Sequence, residues 1–525
     1  MRNAFHDFAK NPVSVNIQRS TFDRTSRVKT TFNAGALVPF FCDEVLPGDT
    51  FNVQTSSFVR MVTPYFPVMD DAYVDLYYFY VPSRILWKHW EELQGANKST
   101  AWDSSTDWKL PYSANAGSVK VGSAMDYLGY PVALKPGDGL NLLPFMAYLK
   151  IYDDWFRDEN LQEPDHLLAT FYDAGNNAAI AFDQDPATMV PLKVNKYHDY
   201  FTSCLPEPQK GGAVNLPLGN TAPLKDTGNC LYSQLSNPTF GLASGWPETS
   251  GDIGAISTQC VGTGTAQSRG LGVNGSDWSA EAYNGITSTS IGVDLSNATA
   301  ATINDLRLAF QTQKLLELDA RGGTRYIEVI KAQFGVNSPD SRLQRPEYLG
   351  GSHTRLQMSQ VAQTGSADGS GTGNLGAYSA TGSRNGAFVK SFVEHGYIIG
   401  LVAIRVKHSY SQGLNAMFTR TKRFDFYLPV FSHLGEQPVY KRELYTAPGV
   451  NEAANTEVFG FNEAWASYRF KPDMCTGFMR TNVEGSLGAR WTYGDYFSTY
   501  PSLGSAFVQE SASNVNQTIS VQGTE

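Results

Sequence analysis

The chain has 525 residues, of which 42% are hydrophobic, 17% are charged and 13% are aromatic. This composition excludes an intrinsically disordered chain and a coiled coil, because both are rich in charge and poor in aromatic residues. The 41 basic and 50 acidic side chains give a net charge of −9, so the molecule as a whole does not attract nucleic acid or anionic lipid. Its charge-poor surface favours extensive contact between subunits.

The first thirty residues form a basic arm on this acidic chain. Phe5, Phe8 and Phe22 lie among its charges and could stack on unpaired bases while the cations contact phosphates. The other interpretation is an exposed or subunit-wrapping arm whose charges only keep it soluble, and both interpretations stay open. The candidate nucleic-acid contacts are Arg2, Lys10, Arg19, Arg24, Arg27 and Lys29.

Strands are predicted near both ends of the chain. Residues 50–62 alternate apolar and polar side chains, which is the period of a strand with one buried face. Residues 72–82 carry β-branched and aromatic side chains on both faces, as expected of a strand covered on both sides. Strands are also predicted in residues 396–410, 424–431 and 467–472.

Two helices are predicted between these strands. Apolar residues recur three or four apart from Leu142 to Gln162 and again from Ile303 to Leu318, where Gly322-Gly323 would end the helix. Strands at both ends with long excursions between them favour an antiparallel sandwich over a βαβ array. The expected class is therefore mainly β, with a few helices.

Two stretches are predicted to be insertions. Residues 211–300 are rich in Gly, Ser, Thr and Asn and carry only eight charged side chains, about half the average density of the chain. Residues 365–386 are rich in Gly and Ser and are predicted to be a surface loop. The chain thus divides into an arm (1–30), a first β part with helical insertions (31–210), a variable surface insertion (211–300) and a last part (301–525).

Cysteine spacing and hydropathy restrict the location of the protein. The five cysteines are far apart and form no C-x-x-C motif, which argues against a disulfide framework or a zinc ribbon and favours a reducing compartment. The longest apolar stretch, residues 396–404, is nine residues long, whereas a bilayer-spanning helix needs about 20. We therefore expect no membrane anchor.

Catalytic motifs have little support. The G-x-G-x-x-G match at Gly371 lies in a predicted loop, without the strand and helix that a dinucleotide site requires. Cys204 follows His198 and Asp199, but a buried structural thiol is the favoured interpretation. The adjacent carboxylates are interpreted as solvated or helix-face groups: Asp70 with Asp71, Asp153 with Asp154, and Asp158 with Glu159. No enzyme activity or cofactor is expected, and the sequence identifies no metal site.

One alternative from another class stays open at this point. An aromatic-rich β-sandwich could be a carbohydrate-binding protein or a glycosidase, because two carboxylates facing each other across a cleft need not be close in sequence. The aromatic candidates are interpreted as core residues or as anchors of a subunit interface, with the core favoured for most of them. They are Tyr77, Tyr78, Phe79, Trp87 and Trp90.

Several long strings resemble one protein family. They include DEVLPGDTF (43–51), YYFYVPSRILWKHWEELQG (77–95), HDYFTSCLPEPQKG (198–211) and FGFNEAWASYRFKPDMCTG (459–477), together with a long string over residues 306–351. In content and order they are similar to the major capsid proteins of microviruses, which are small single-stranded DNA phages, and within these to the gokushovirus branch.

The resemblance implies an eight-stranded antiparallel viral jelly roll with long inserted loops. It further implies a T=1 icosahedral shell of about sixty identical subunits around a circular single-stranded DNA genome. The insertion after Gly211 would build a protrusion at the three-fold axis, with a host surface receptor as its proposed partner. The implied locations are the virion and, during assembly, the host bacterial cytoplasm.

Packaging poses an electrostatic problem for such a shell. About sixty copies at −9 give a total near −540, while the cargo carries about one negative charge per nucleotide. Either basic residues cluster on the inner face, or a separate cation neutralises the genome. The resemblance implies a small basic DNA-packaging protein and a pilot (minor virion) protein as further partners.

Overall fold

The computed structural model describes residues 19–94, 108–137, 139–212, 224–226, 291–293, 303–321, 344–362, 375–432, 434–446, 452–481 and 483–519, with single positions 214, 332, 335, 364 and 373. Over these ranges the chain is mainly β, with short helices and several antiparallel sheets. The described residues fall into two compact units, one within 1–208 and 335–525 and the other within 209–334. Most of the predicted insertion (211–300) lies outside the described residues, and the predicted segment boundaries at 30, 210 and 300 stay predictions.

The strands are named here in chain order. They are β1 (Val38–Val45), β2 (Thr50–Val59), β3 (Ala72–Pro82), β4 (Tyr112–Ser113), β5 (Ala179–Ile180), β6 (Leu224–Asp226), β7 (Ile291–Val293), β8 (Glu347–Arg355), β9 (Met358–Ala362), β10 (Leu375–Ser379), β11 (Thr381–Ser391), β12 (Gly396–Val406), β13 (Gln437–Tyr440) and β14 (Val458–Asn462). The predicted strand over 50–62 is confirmed as β2, and the one over 72–82 is confirmed as β3 with the same bounds.

The helices are short, with one exception. They are α1 (Trp90–Leu93), α2 (Ala124–Leu128), α3 (Leu143–Ile151), α4 (His166–Tyr172), α5 (Ile303–Arg321), α6 (Glu452–Asn455), α7 (Ala466–Arg469), α8 (Gly488–Trp491), α9 (Ser505–Val508) and α10 (Ser513–Ile519). Side-chain caps begin two of them, because Ser123 accepts a hydrogen bond from the Asp126 amide and Asp165 accepts one from the Leu167 amide. Among the described residues, none of the helices has the length and apolar character needed to cross a bilayer.

A four-stranded antiparallel sheet in the order β1-β12-β3-β8 organises the first unit. β12 is the second strand, so Ile398 lies opposite Asp43 of β1 and Tyr80 of β3. At Gly400 a Cβ atom would lie 2.8 Å from the Cβ of Phe41 and 3.0 Å from the Tyr78 ring. A glycine is therefore required where the neighbouring strands carry large rings.

The strands of this unit pair in a nested order. β1 pairs with β12, β2 pairs with β11 and β3 pairs with β8, all antiparallel. As the chain advances from β1 to β3, the partner strand therefore moves back along the chain, from β12 to β11 to β8. This is the pairing of a long antiparallel ribbon folded over on itself, with β2 and β11 forming a separate two-stranded sheet.

β3 is covered on both faces, as its sequence predicts. On one face Tyr78 and Tyr80 pack against the β2–β11 sheet, and the centroids of the Tyr78 and Phe388 rings are 5.5 Å apart. On the other face Phe79 packs with the residues of α3 and the turn after it, at 6.0 Å from the ring of Phe156. The layers are thus sheet on sheet with helices outside, and the largest apolar core lies on the helical side.

The two helix predictions have different outcomes. The helix predicted from Ile303 is confirmed as α5 and extends to Arg321. The helix predicted to reach Gln162 is too long, because α3 ends at Ile151 and is followed by one π-helical turn (Tyr152–Phe156). Arg157 is extended, with ψ at 134°, and its guanidinium binds both Asp153 and the Gln162 carbonyl, which closes a turn where the helix was predicted.

Two of the strands predicted in the C-terminal part are wrong. The first predicted segment (424–431) contains 3-10 turns, and α7 occupies the first half of the second (467–472). The carboxylate of Asp425 accepts a hydrogen bond from the Lys422 amide at 2.8 Å, and Pro429 begins the next turn. These local bonds favour turns over an extended chain, so apolar alternation alone was misleading.

The predicted surface loop (365–386) is also partly wrong. Its second half contains β10 and the beginning of β11, which pairs residue by residue with β2. Ser383 lies opposite Ser57, and their hydroxyl oxygens are 2.8 Å apart. Small polar residues are accommodated here because the cross-strand partners are small and polar as well.

Candidate assembly and nucleic-acid surfaces

The described part of the basic arm, residues 19–30, forms neither helix nor strand and is exposed to solvent. Arg24 forms an ion pair with Asp43 of β1 at 2.7 Å, and the guanidinium of Arg19 donates to the Gly48 carbonyl between β1 and β2. Arg27 and Lys29 are exposed to solvent. Two of the predicted nucleic-acid contacts therefore hold the arm against the sandwich, and the remaining pair, Arg2 and Lys10, lies outside the described residues.

An open apolar groove runs between this arm and the two sheets. Its volume is about 1830 Å³, and its walls include Phe40 and Phe41 of β1 and Phe51 and Val53 of β2. Phe22 of the arm is 79% exposed beside it. The groove leaves one edge of the sandwich core open to solvent.

The five predicted aromatic anchors occupy two environments. Tyr78, Phe79 and Trp87 are at most 2% exposed and belong to the core. The indole N–H of Trp87 donates to the Ala174 carbonyl at 2.7 Å, which satisfies the polar atom of a fully buried ring. Tyr77 and Trp90 are half-buried and pack against the rim of the same core.

A buried carboxylate at the centre of β3 fastens the four-stranded sheet to its neighbours. Asp75 is 2% exposed and accepts hydrogen bonds from Arg405 of β12 and from Tyr197, the latter at 2.8 Å. His353 of β8 lies 2.5 Å from its other oxygen. Burial alone would raise the pKa of Asp75, but these partners outweigh burial and lower it. The group is therefore ionised and fully engaged in holding the fold.

A second buried cluster connects β12 to the C-terminal segment. His408 is 3% exposed at its side chain and lies between Asp495, at 3.0 Å, and Glu510, at 3.1 Å. Lys196 binds the other oxygen of Asp495 at 3.0 Å. Burial would lower the pKa of His408, but the two carboxylates outweigh it and raise that pKa to about 9. His408 and Lys196 together lower the pKa of Asp495 against the effect of burial.

The groups considered for catalysis have structural partners. Cys204 is buried, its thiol donates to the Tyr200 carbonyl at 3.4 Å, and burial raises its pKa well above the usual range of a thiol. Asp153 pairs with Arg157 at 2.6 Å across the turn that ends this helical segment, and Asp154 pairs with Lys150 of α3 at 3.1 Å. These arrangements stabilise the fold and place none of these groups as an activated nucleophile or acid.

One surface in the C-terminal part was not singled out from the sequence. We call residues 416–427 and 465–471 the aromatic-basic patch, since they contain seven aromatic residues, five cations and one acidic residue. Tyr427 joins the two segments, because its amide donates to the Tyr468 hydroxyl at 3.3 Å and its ring lies 5.6 Å from that of Trp465. The interleaving of rings and cations in FTRTKRFDFY and SYRFKP was the available signal, and the strand interpretation obscured it.

The chain matches one family of known proteins over nearly its whole length. The family described as capsid protein (F protein) matches residues 11–525. Capsid protein VP1 of Bdellovibrio phage phiMH2K is 41% identical over 511 residues, which cover 96% of this chain and 90% of that protein. Capsid protein VP1 of Spiroplasma virus 4 is 37% identical over 99% of this chain and 92% of that protein.

A further relative agrees with these matches. Capsid protein VP1 of Chlamydia phage 1 is 34% identical over 97% of this chain and 91% of that protein. The resemblance stated from the sequence strings is thereby confirmed. The chain belongs to the capsid protein (F protein) family of phages.

Proposed function

We propose that this capsid protein is the major subunit of a T=1 icosahedral shell that encloses a circular single-stranded DNA genome. The observation that carries the proposal is the match of the chain, in order and over almost all of its length, to phage capsid proteins. The stability of such a shell comes from its symmetry. Each subunit makes the same contacts with its neighbours, and these repeated contacts suppress dissociation without any single strong contact.

The nested pairing of β1 with β12, β2 with β11 and β3 with β8 supports an eight-stranded viral jelly roll. In that architecture a fourth pair of strands would follow β3 in the chain and extend the β2–β11 sheet. Such a fold turns most strand edges inward and leaves broad faces and long loops for neighbouring subunits.

Exposed apolar residues supply the surface for those contacts. The described residues include rings and aliphatic side chains that are more than half exposed on a single copy, among them Phe58, Val62, Met69 and Val430. A monomeric protein rarely leaves so many large apolar side chains in water, whereas a shell subunit buries them against its neighbours. Tyr77 and Trp90 lie at the rim of the core, and they are proposed to contribute to such subunit contacts with the exposed parts of their rings.

The remaining partners follow from the same proposal. A small basic packaging protein would neutralise part of the genome, because copies with a net charge of −9 cannot do so by net charge. A pilot protein completes the virion, and the insertion at 211–300 would contact a host surface receptor. Assembly would take place in the cytoplasm of the bacterial host.

Electron microscopy of the purified protein under assembly conditions tests the proposal. We expect uniform hollow spheres, accompanied by one fast-sedimenting species in analytical ultracentrifugation. A protein that stays small and releases sugar from oligosaccharides would instead establish the alternative, a β-sandwich carbohydrate-binding protein or glycosidase, which the family match does not favour.

A further inference from the structure

The aromatic-basic patch differs in charge from the rest of the chain. Its five cations and one carboxylate give it a local charge of +4, whereas the other residues carry −9 minus 4, which is −13. Seven of its nineteen residues are aromatic, compared with 13% over the whole chain. A basic surface on an acidic protein is a local feature that needs its own explanation.

The rings of the patch point into solvent. Six of the seven are between 44% and 67% exposed: Phe418, Phe424, Phe426, Tyr427, Tyr468 and Phe470. They are held in place from below. Trp465 is half-buried, donates its indole N–H to the Phe431 carbonyl at 3.0 Å and has a left-handed backbone with φ at 65°. A non-glycine residue with positive φ marks a position where the surroundings impose the conformation.

The cations of the patch are arranged in three ways, and one of these is the ion pair of Arg469 with Glu463, which lies just outside the patch. The guanidinium carbon of Arg420 lies over the Tyr468 ring, 4.0 Å from its centroid, and Arg420 also donates to the Ser467 hydroxyl at 2.7 Å, so it stiffens the surface. Lys422, Arg423 and Lys471 are exposed and form no ion pair within the described part of the chain. Three cations are therefore available to a ligand beside exposed rings.

We propose that the aromatic-basic patch binds single-stranded nucleic acid, with phosphates on Lys422, Arg423 and Lys471 and bases stacked on Phe424, Phe426 and Phe470. Sequence-independent binding of single strands combines a basic track with aromatic faces, and both are interleaved here. The inference rests on the proposed function, because an acidic shell needs basic residues where it meets its cargo. It assigns that contact to this patch, whereas the sequence left the N-terminal arm open between a nucleic-acid contact and an exposed or subunit-wrapping arm.

A second copy of the chain is the less favoured occupant. Subunit interfaces are enriched in aromatic residues and arginine but depleted in lysine, so the two exposed lysines, Lys422 and Lys471, are the feature that argues against a protein contact. In the patch each exposed ring lies within two positions of a cation or a polar side chain. Such a surface is suited to a flexible polyanion more than to a dry protein contact.

The test measures binding of a fluorescein-labelled oligothymidine of about 20 nucleotides to the unassembled subunit, by anisotropy at several salt concentrations. The wild-type chain should bind weakly and with strong salt dependence. The triple variant K422Q/R423Q/K471Q should lower the slope of log K against log salt by about 2, since each single-strand phosphate contact contributes about 0.7. Phe424→Leu, which keeps the apolar surface but removes the ring, should weaken binding about tenfold.

Matched controls distinguish binding at the patch from the general effect of removing positive charge or an exposed ring anywhere on the surface. K109Q/K120Q/K135Q removes three exposed lysines from other parts of the surface, and Phe58→Leu removes a ring that is 72% exposed on β2. Both controls should bind the oligonucleotide like the wild-type chain. Equal losses in the patch variants and the controls would overturn the inference.

Particle formation distinguishes the remaining outcomes. Patch variants that form normal particles but bind the oligonucleotide poorly support the inference. Patch variants that retain wild-type binding but no longer assemble would identify the patch as a contact between subunits and overturn it. Failure of the wild-type chain to form particles under any condition would refute the proposed function, while oligonucleotide binding by the patch would still be measured independently.

Discussion

The imidazole of His408 lies 3.1 Å from the carboxylate of Glu510, and this contact joins the end of β12 to the C-terminal segment. Glu510 is fully buried, and its own amide donates to the Val194 carbonyl at 2.8 Å. Since Asp495 lies on the other side of the ring, both ring nitrogens face acceptors, which favours the doubly protonated imidazolium. The two cations, His408 and Lys196, balance the carboxylates of Asp495 and Glu510 only while His408 is protonated.

We expect the cluster to lose its stabilising effect at alkaline pH. The pKa of His408 is raised from 6.5 to about 9, so its contribution is complete below pH 6.5 and disappears as the pH rises through 9. The full contribution is about 3 kcal/mol of unfolding free energy. Lys196, Asp70, Asp495 and Glu510 also face or influence this ring, so the measurement compares two proteins at each pH.

Denaturant unfolding of the unassembled wild-type subunit and of His408→Gln, from about pH 6 to pH 10, isolates this contribution. The difference in stability between the two proteins should be largest at the acid end and should approach zero at the alkaline end. A difference that does not change with pH would contradict the charged state assigned to His408.

Loss of the buried carboxylate in β3 should be severe. Asp75→Asn leaves the largely buried Arg405 guanidinium without its anion and should cost about 3–5 kcal/mol of unfolding free energy. The matched control is Asp43→Asn, which breaks the ion pair with the 64% exposed Arg24 and should cost less than about 1 kcal/mol. Comparable losses at the two positions in urea unfolding would contradict the structural role assigned to Asp75.

The core role of β3 predicts a contrast between two phenylalanines. Phe79→Ala removes a ring that is 1% exposed and should cost about 3–5 kcal/mol through lost burial and a residual cavity. Phe58→Ala on β2 removes a ring that is 72% exposed and should change stability by less than about 0.5 kcal/mol. Thermal unfolding of unassembled subunits measures both, and a neutral Phe79 variant would argue against the sheet-and-helix core.

Two cysteines should resist alkylation in the folded chain. Burial raises the pKa of Cys42 to about 12 and that of Cys204 still higher, so little thiolate forms at either position near neutral pH. Mass spectrometry after a short iodoacetamide treatment should find both thiols unmodified in the native protein and modified in urea. Rapid native labelling of Cys204 would revive its interpretation as a nucleophile.

The sequence by itself determined the features that depend on near neighbours. Alternation identified β2, continuous apolar character identified β3 as a strand buried on both faces, and the 3.6-residue period identified α5. The long strings around them were sufficient to recognise the family. The same local reasoning gave the wrong answer at Asp425 and Arg157, where a single side chain closes a turn and ends the regular element.

Tertiary structure decided which distant residues meet. Asp75 and Arg405 are 330 positions apart, and the two segments of the aromatic-basic patch are separated by β13 and β14. Periodicity shows which face of an element is buried, but the partner of that face depends on how the sheets wrap, which is a property of the whole chain. The nested strand order and the free cations beside exposed rings therefore became visible only in the folded protein.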